Sequence, residues 1–349
     1  VSDVFSVTGG ASAWLNDALF ASDSISTWFC HHEQAAVFSA EAFARRSGGL
    51  GVAVLTLGPG STNGVTGVAA AWMDSVPLLI ISGQSFSGQT IGTSGLRQVG
   101  IQEVDILPIV KSITKDARRL GPNDSPSEVL AEMASISMSG RPGPVWLEVT
   151  GDVQKATVED LPKAKPAHEA PPTVDLSRVG DIATRLCAAE RPLIHLGQGV
   201  RLSGQSQRIV DFVERHSIPC VTTHNANDLM PSDHRLRVGF PGIFGNRAAN
   251  FAVAACDFYL AIGVRLSLAQ TGYGSESYAS QADRVVVDVD SAELNKPWLR
   301  DFERIESDAG RFIGELEALV PSSYQVPVPW QEHLAMIAEQ YPHIISEVR

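Results

Sequence analysis

A glutamate and two histidines lie where a predicted strand meets a predicted helix. His31, His32 and Glu33 follow the β-branched run 27–30 and precede an Ala-rich stretch with helical spacing. In open α/β sheets, the ends of such strands face the ligand crevice. Glu33 is therefore a candidate functional residue, although a glutamate in a first helical turn is also used only to complement the positive end of the helix.

A glycine-rich turn follows the next predicted strand. Residues 57–64 read LGPGSTNG and again lead from a strand into a helix. Glycine has no Cβ and lets the backbone approach a ligand closely, so Gly58 and Gly60 are candidates for ligand contact. Thr62 or Asn63 is predicted to cap the helix. A tight turn without a ligand would explain the same pattern.

A polar loop at residues 92–105 contains further candidates. It carries Gln98 and, at 102–105, the segment QEVD, and it is richer in amide and acid side chains than ordinary packing requires. The alternative interpretation is a solvated surface loop.

The second half of the chain carries weaker signals. Gly197 and Gly199 match the first two glycines of a dinucleotide-binding fingerprint, but Leu202 stands in the place of the third. The turn from Gly242 to Gly245 and the residue Arg265, which follows an apolar run, could cradle a diphosphate. Surface turns with a salt-bridging arginine would give the same pattern.

Both halves of the chain alternate short β-branched runs with Ala-rich amphipathic stretches. This pattern is typical of an α/β fold built on a mostly parallel sheet. The predicted strands are 4–7, 27–30, 52–57, 78–82, 145–149, 193–196, 220–223, 258–262 and 285–289. The predicted helices are 13–19, 34–46, 62–73, 127–138, 174–189, 205–216, 247–254, 309–319 and 330–340.

A Pro-, Lys- and Glu-rich stretch without periodicity separates the two halves. It predicts a linker at 154–173 between a first domain at 1–153 and a second domain at 174–320. Residues 321–349 begin with another Pro-rich stretch and continue into a short amphipathic helix, which we expect to lead towards a further domain.

The composition excludes several classes of protein. The 349 residues are 44% hydrophobic and carry a formal charge of −12, without a basic run, so nucleic acid and anionic membranes are not expected partners. No apolar run approaches the roughly 18–20 residues of a membrane span. The four cysteines lie far apart without CxxC spacing, which indicates buried thiols in the cytoplasm rather than disulfides or a zinc site.

The motifs occur in the order found in one enzyme family. The chain resembles the large catalytic chain of acetolactate synthase and related thiamine diphosphate enzymes. The segments that carry this resemblance are GGAS (9–12), HHEQAAVFSAEAFAR (31–45), LTLGPGSTNGVTGVAAAWMDSVPLLIISG (55–83), IGTS (91–94), QEVDI (102–106), SGRPGPVWLEV (139–149) and DVDSAELNKP (288–297). The segments LRQVGIQEVDI (96–106), GNRAANFAV (245–253) and RLSLAQTGY (265–273) are most similar to a branch among surface-polysaccharide genes, which attaches a pyruvate-derived acetyl unit to a keto sugar.

The resemblance implies a pyrimidine-binding first domain and a central domain that carries a flavin or a vestige of its site. It assigns to Glu33 the hydrogen bond to the aminopyrimidine ring nitrogen, in an apolar pocket to which Ala35, Ala36 and Val37 would contribute.

The same resemblance extends to the neighbouring turn and the polar loop. Gly58, Pro59 and Gly60 would let backbone lie against the pyrimidine, and Asn63 would fix the turn. Gln102 matches a glutamine that reaches the substrate. Gln98 is the alternative alignment, and His32 is a further substrate candidate.

The family's segment for metal binding is not found in this sequence. These enzymes hold Mg²⁺ through a GDG segment and downstream asparagines, since Mg²⁺ takes oxygen ligands and bridges to phosphate. The pairs at 151–152 and 180–181 lack the third glycine and are predicted to be turns. We therefore assign no metal ligand. We expect a second chain or a missing segment to supply the diphosphate site with Mg²⁺, a dimer as the minimum active unit, and no activity of this chain alone.

The sequence thus predicts a subunit or fragment of a thiamine diphosphate-dependent carboligase. It would decarboxylate a 2-keto acid such as pyruvate and transfer the acyl unit to a carbonyl acceptor. The alternatives are a 2-keto acid decarboxylase or oxalyl-CoA-type lyase subunit and a non-catalytic regulatory homologue. The presence of Glu33, Pro59 and Gln102 argues against the last. FAD at Gly242, Gly245 and Arg265 is a further expectation.

Overall fold

Each half of the chain builds its own parallel sheet. The computed structural model describes residues 1–157, 175–273 and 275–342. The chain divides into two units, Val1–Glu169 and Ala170–Arg349. Within the described ranges each unit holds six strands, and every strand pairing is parallel. The predicted α/β class with two sheets is confirmed. Most of the predicted linker, residues 158–173, lies outside the described residues.

The first unit has the strand order β2-β1-β3-β4-β6-β5. Its strands are β1 (Asp3–Ser6), β2 (Ser26–Phe29), β3 (Gly51–Leu55), β4 (Leu78–Gln84), β5 (Asp116–Leu120) and β6 (Pro144–Thr150). Its helices are α1 (Ala13–Phe20), α2 (Glu33–Ser47), α3 (Pro59–Asp74), α4 (Ile106–Val110), α5 (Pro126–Met138) and α6 (Gly151–Lys155).

The core of the first unit covers both faces of the central strands. All residues of β3 and β6 are buried, and in β4 only Ile81 is half-buried. Trp146 in β6 is fully buried, and its indole N–H donates to the Ser82 hydroxyl at 2.8 Å. Strands covered on both faces need apolar side chains on both, which explains the continuous apolar runs in the sequence.

The second unit has the strand order β12-β11-β10-β7-β8-β9. Its strands are β7 (Pro192–Leu196), β8 (Cys220–Thr222), β9 (Arg237–Gly239), β10 (Phe258–Ile262), β11 (Asp283–Asp288) and β12 (Glu303–Glu306). Its helices are α7 (Leu176–Ala188), α8 (Gln198–Leu202), α9 (Ser206–His216), α10 (Arg247–Ala255), α11 (Leu268–Thr271), α12 (Ser291–Leu294), α13 (Ala309–Leu319) and α14 (Val328–Gln340). Strand order reverses between β7 and β10, so the carboxyl ends of these two strands form the switch point at which α/β sheets bind ligands.

Three strands were not predicted, and each of them lies at the edge of a sheet. The strands β5, β9 and β12 read DARRL, RVG and ERIE. An edge strand has solvent along one side, and charged side chains are tolerated there. These strands therefore lack the apolar run that marks the central ones.

The two predicted glycine–aspartate turns are wrong. Gly151 and Asp152 begin α6, and Gly180 and Asp181 lie inside α7. In α7 the apolar residues form one buried face, and packing of such a face outweighs the low helix propensity of a single glycine. None of the helices in the described part of the chain has the length and hydropathy that crossing a membrane requires.

Asp152 links α6 to the segment that follows β4. Its Oδ1 accepts hydrogen bonds from the Ser87 amide at 2.9 Å and the Ser87 hydroxyl at 3.0 Å. Desolvation of this exposed carboxylate by nearby protein atoms opposes ionisation, but these hydrogen bonds and one from Thr150 outweigh it and lower the pKa of Asp152 to about 2.

For Asp152→Asn we expect a weaker pH dependence of the free energy of unfolding in acid. The carboxyl has its ordinary pKa of 3.8 when unfolded and about 2 when folded, so its contribution is complete above pH 3.8 and is lost as the pH falls towards 2. Urea unfolding of wild type and variant at several pH values across this window measures the difference. Asp23→Asn, at an exposed position, is the control. An unchanged pH dependence in Asp152→Asn would contradict the role of the Ser87 contact.

Candidate functional site

Three connections at one edge of the first sheet carry the predicted site residues. They follow β2, β3 and β4, and they lead into α2, α3 and the loop before α4. The strands are parallel, so their carboxyl ends lie at the same edge. The predicted residues His32, Glu33, Asn63, Gln98 and Gln102 therefore lie on connections at a single edge.

His32 caps helix α2. It has an extended backbone at the N-cap, and its Nδ1 accepts a hydrogen bond from the Gln34 amide at 3.1 Å. This bond satisfies one of the amides that a helix N-terminus leaves without an intrahelical partner. The structure thus gives His32 a local structural task, and its substrate role stays a prediction.

Glu33, the first residue of α2, contacts the next helix. Its Oε2 accepts a hydrogen bond from the Asn63 side-chain amide at 3.0 Å. Its Oε1 lies beside Gly60, where an added Cβ would come within 3.2 Å of it. Ala36 and Val37 are fully buried, whereas Ala35 is exposed and Glu33 itself is half-buried. Only part of the predicted apolar surroundings is therefore formed by these alanine and valine neighbours.

Helix α3 begins earlier than the sequence predicted. Gly58 is its N-cap and Pro59 its first residue, with no side-chain cap. The prediction that Thr62 or Asn63 caps the helix is wrong, because a proline at the first helical position needs no amide partner and starts the helix at 59. Asn63 instead uses its amide on Glu33.

Gln102 packs directly against the glycine turn. Gly58 has φ of 59°, and a Cβ on it would lie 1.8 Å from the carbonyl oxygen of Gln102. Gln102 itself has φ of 59°, a left-handed conformation that is rare outside glycine. Gln98 uses its side-chain amide within its own loop, where it donates to the Gly100 carbonyl at 2.9 Å. The contacts link Gln102, rather than Gln98, to the turn beside Glu33.

This arrangement suits the binding of a flat polar heterocycle. Asn63 orients the Glu33 carboxylate, the Gly60 backbone lies next to it, and Gly58 lies against Gln102. A carboxylate held in this way can accept a hydrogen bond from a ring N–H or, when protonated, donate one to a ring nitrogen.

The sequence did not predict that two glutamates at this edge of the sheet are buried, although one of them belongs to the QEVD segment. Glu103, directly after Gln102, is 4% exposed and Glu148 in β6 is 0% exposed. Burial raises the pKa of Glu148, while contacts with Arg119 at 2.5 Å and Gln84 at 2.7 Å oppose the rise. The sequence signal for Glu148 was a single acidic residue inside the otherwise apolar strand PVWLEVT.

In the turn from Gly242 to Gly245 of the second unit, backbone amides donate hydrogen bonds to acceptors within the protein. The amide of Gly242 donates to the Asn250 side chain at 2.8 Å, that of Ile243 to the Ala269 carbonyl at 2.8 Å, and that of Gly245 to the Gly242 carbonyl at 3.0 Å. Backbone donors for a diphosphate are thus already engaged at these three positions. Arg265 pairs with Glu293 at 3.3 Å, so it fits the salt-bridging alternative.

The fingerprint-like glycines of the second unit lie where two segments of the chain touch backbone to backbone. Added Cβ atoms on Gly197 and Gly199 would lie 1.9 Å and 2.7 Å from backbone atoms of Gly263. The Gly199 amide donates to the Gly263 carbonyl at 3.1 Å. The glycines are explained by this close backbone contact at the switch point.

Among residues 1–157, 175–273 and 275–342, no group of three His, Cys, Asp or Glu side chains is arranged to hold a metal ion. All four cysteines are free. Cys220 and Cys256 are buried as predicted, whereas Cys30 and Cys187 are half-buried.

Comparison with protein-family models gives two matches. Residues 1–109 match the N-terminal thiamine pyrophosphate-binding domain of thiamine pyrophosphate enzymes, and residues 179–316 match the central domain of such enzymes. Together these ranges cover more than half of the chain. The Glu33, Gly58 and Gln102 cluster lies inside the first match.

Curated relatives agree with these matches. A probable acetolactate synthase large subunit of Methanocaldococcus jannaschii is 34% identical over 96% of this chain and 56% of its own length. The acetolactate synthase isozyme 2 large subunit of Escherichia coli is 32% identical over 98% of this chain and 60% of its own length. Acetolactate synthase 1 of Zea mays is 37% identical over 85% of this chain and 46% of its own length. The chain thus spans about half the length of these relatives.

For Gly58→Ala we expect a large loss of stability. Gly58 has φ of 59° and ψ of −123°, a conformation that costs a residue with a Cβ about 1–3 kcal/mol, and here the methyl group would also collide with the Gln102 carbonyl. Gly48→Ala is the control for a positive φ without a collision, because Gly48 has φ of 70° and no atom within 4 Å of an added Cβ. Urea unfolding measures both variants. Equal losses in the two variants would show that the Gln102 contact does not constrain the turn.

For His32→Ala we expect the free energy of unfolding to fall by about 1 kcal/mol, since a helix cap is lost. His32→Asn should retain most of the stability, because asparagine is a good N-cap. Replacement of the adjacent exposed His31 by alanine is the control. An identical urea midpoint for His32→Ala and His31→Ala would argue against the capping role.

Proposed function

The chain belongs to the thiamine pyrophosphate enzyme family, with acetolactate synthase large subunits among its relatives, and on this premise we propose that it forms the pyrimidine-binding part of a carboligase. The proposed enzyme decarboxylates a 2-keto acid such as pyruvate and transfers the acyl unit to a carbonyl acceptor. The observation that carries the proposal is the Glu33–Asn63 hydrogen bond beside Gly58, Gly60 and Gln102.

The residues present fit thiamine diphosphate, which is the proposed cofactor. The Glu33 carboxylate is oriented by Asn63, and Gly60 lets the backbone pass directly beside it, since an added Cβ there would come within 3.2 Å of Oε1 and 2.5 Å of the Thr56 side chain. When bound, the cofactor supplies an acidic carbon that adds to the keto carbonyl and accommodates negative charge when CO₂ leaves.

Glu33 is the proposed catalytic acid and base. Its carboxyl holds a proton at the aminopyrimidine ring nitrogen, and Asn63 keeps the carboxyl in place by binding Oε2. Gln102 is the proposed substrate-binding residue, because its backbone contact with Gly58 keeps it next to this site. Pro59, the first residue of α3, is exposed and has no backbone N–H to donate.

The acceptor and the partner are further parts of the proposal. The proposal leaves the carbonyl acceptor open; the resemblance of the segments at 96–106, 245–253 and 265–273 makes a keto sugar the first acceptor to assay. We infer that a second chain or domain holds the diphosphate with Mg²⁺ and that the active unit is at least a dimer, as the family resemblance implies. The free cysteines support a cytoplasmic location.

FAD has less support than thiamine diphosphate. Three amides of the 242–245 turn are engaged within the protein, and the Arg265 guanidinium pairs with Glu293. We assign no chemical step to a flavin. A flavin absorption band in the natively purified protein would restore this cofactor to the proposal.

For Glu33→Gln we expect the exchange of the cofactor's thiazolium C2 proton with deuterium to slow by at least about 10²-fold, the range of a lost general acid–base. The protein is purified natively with any co-purifying chain and supplied with thiamine diphosphate and Mg²⁺, and exchange is followed by NMR. Glu128→Gln, at an exposed position on α5, is the control.

Exchange at the wild-type rate in Glu33→Gln would refute the role of Glu33. Product analysis with and without a carbonyl acceptor distinguishes a carboligase from a decarboxylase or lyase. A wild-type protein that neither binds the cofactor nor accelerates exchange would favour the non-catalytic homologue.

A further inference from the structure

The buried Glu103 carboxylate accepts hydrogen bonds from three backbone amides. It accepts hydrogen bonds from Ile91 at 2.5 Å, Val99 at 3.1 Å and Gly100 at 3.0 Å. In the described part of the chain, no Lys or Arg side chain forms an ion pair with it. Its charge is therefore stabilised by amide dipoles, in the manner of an anion held in a backbone nest.

These hydrogen bonds close the base of a loop. Ile91 and Val99 lie at the two ends of segment 91–99, and both bind the same carboxylate. Most of the segment between them is exposed, and it turns through Gly92 and Gly95, which have φ of 50° and 75°. Loss of the carboxylate would thus release both ends of the segment at once. We call this segment the 91–99 loop.

The base of the loop is also packed tightly. A Cβ on Gly100 would lie 2.1 Å from the Ser85 hydroxyl, so this glycine contacts the segment that follows β4. The carboxylate and this contact together fix the position of residue 100, two residues before Gln102.

A second anchor lies on the other side of Gln102. The Gln84 side-chain amide donates to the Val104 carbonyl at 3.2 Å and to the buried Glu148 at 2.7 Å. Arg119 holds the second oxygen of Glu148 at 2.5 Å. Residue 104 is thereby tied to the sheet at the ends of β4 and β6.

Gln102 therefore lies between two fixed points, in a conformation that it would rarely adopt alone. The left-handed region costs a non-glycine residue roughly 1–2 kcal/mol, and such strain persists only where the surroundings impose it. Here it brings the Gln102 carbonyl against Gly58.

We propose that Glu103 is a positioning residue of the substrate site: by clamping the base of the 91–99 loop, it holds Gln102 in its left-handed conformation next to the cofactor turn. This inference rests on the proposed function, in which Gln102 binds the 2-keto acid. A glutamine at 103 is a poor replacement, because its NH₂ group would face backbone N–H donors.

The test compares wild type with Glu103→Ala and Glu103→Gln, with Glu128→Gln as the control. The first readout is hydrogen–deuterium exchange in the full chain. We expect the amides of Ile91, Val99 and Gly100 to exchange at least about tenfold faster in Glu103→Ala, because their acceptor is gone. In Glu103→Gln these amides should exchange at rates between those of wild type and Glu103→Ala. The exchange rates of amides in β4 and β6 should be unchanged in all variants.

The second readout uses the natively purified assembly with thiamine diphosphate, Mg²⁺ and pyruvate. We expect kcat/KM for pyruvate to fall by about 10–100-fold in Glu103→Ala, mainly through KM, as expected for a displaced binding group. C2 proton exchange, which depends on Glu33, should stay within about twofold of wild type.

Unchanged protection of the three amides in Glu103→Ala would overturn the clamp. Faster amide exchange with unchanged kcat/KM would overturn the positioning of Gln102. A wild-type assembly with neither C2 exchange nor turnover would overturn the proposed function and the substrate role with it, while amide exchange would still report on the clamp.

Discussion

The candidate site depends on the close contact between the Gly58 backbone and the Gln102 carbonyl. It joins the connection after β3 to the connection after β4, and it requires a left-handed conformation at both residues. Only glycine can occupy one side of this contact, because no Cβ fits. The helix that begins at Pro59 separately carries Asn63 to Glu33, so the same turn has Gln102 on one side and the Glu33–Asn63 pair on the other.

In the first unit, residues that hold backbone amides directly neighbour the proposed site residues. His32 caps α2 while Glu33 contacts the next helix, and Glu103 accepts from backbone amides while the Gln102 carbonyl lies against the turn. In each pair, one residue satisfies amides and the other is the proposed binding residue. Such a division lets a partly exposed carboxylate keep its position without being buried in the core.

The sequence predicts those parts of the structure that follow from residues close together in the chain. The central strands of both sheets were found from apolar runs, because burial on two faces leaves that mark, whereas the charged edge strands β5, β9 and β12 were missed. Glu33 and Gly58 were identified from strand-to-helix junctions. The Glu103 clamp and the left-handed Gln102 were not, because they depend on contacts with residues that only the folded chain brings near.

The crossing of Gly197 and Gly199 over Gly263 has a mechanical consequence for the second unit. It fastens the two central strands β7 and β10 together at their carboxyl ends, backbone against backbone, with no side chain between them to yield. A side chain at position 197, 199 or 263 would have to push the two strand ends apart, so this end of the sheet keeps its spacing only with glycine at all three positions.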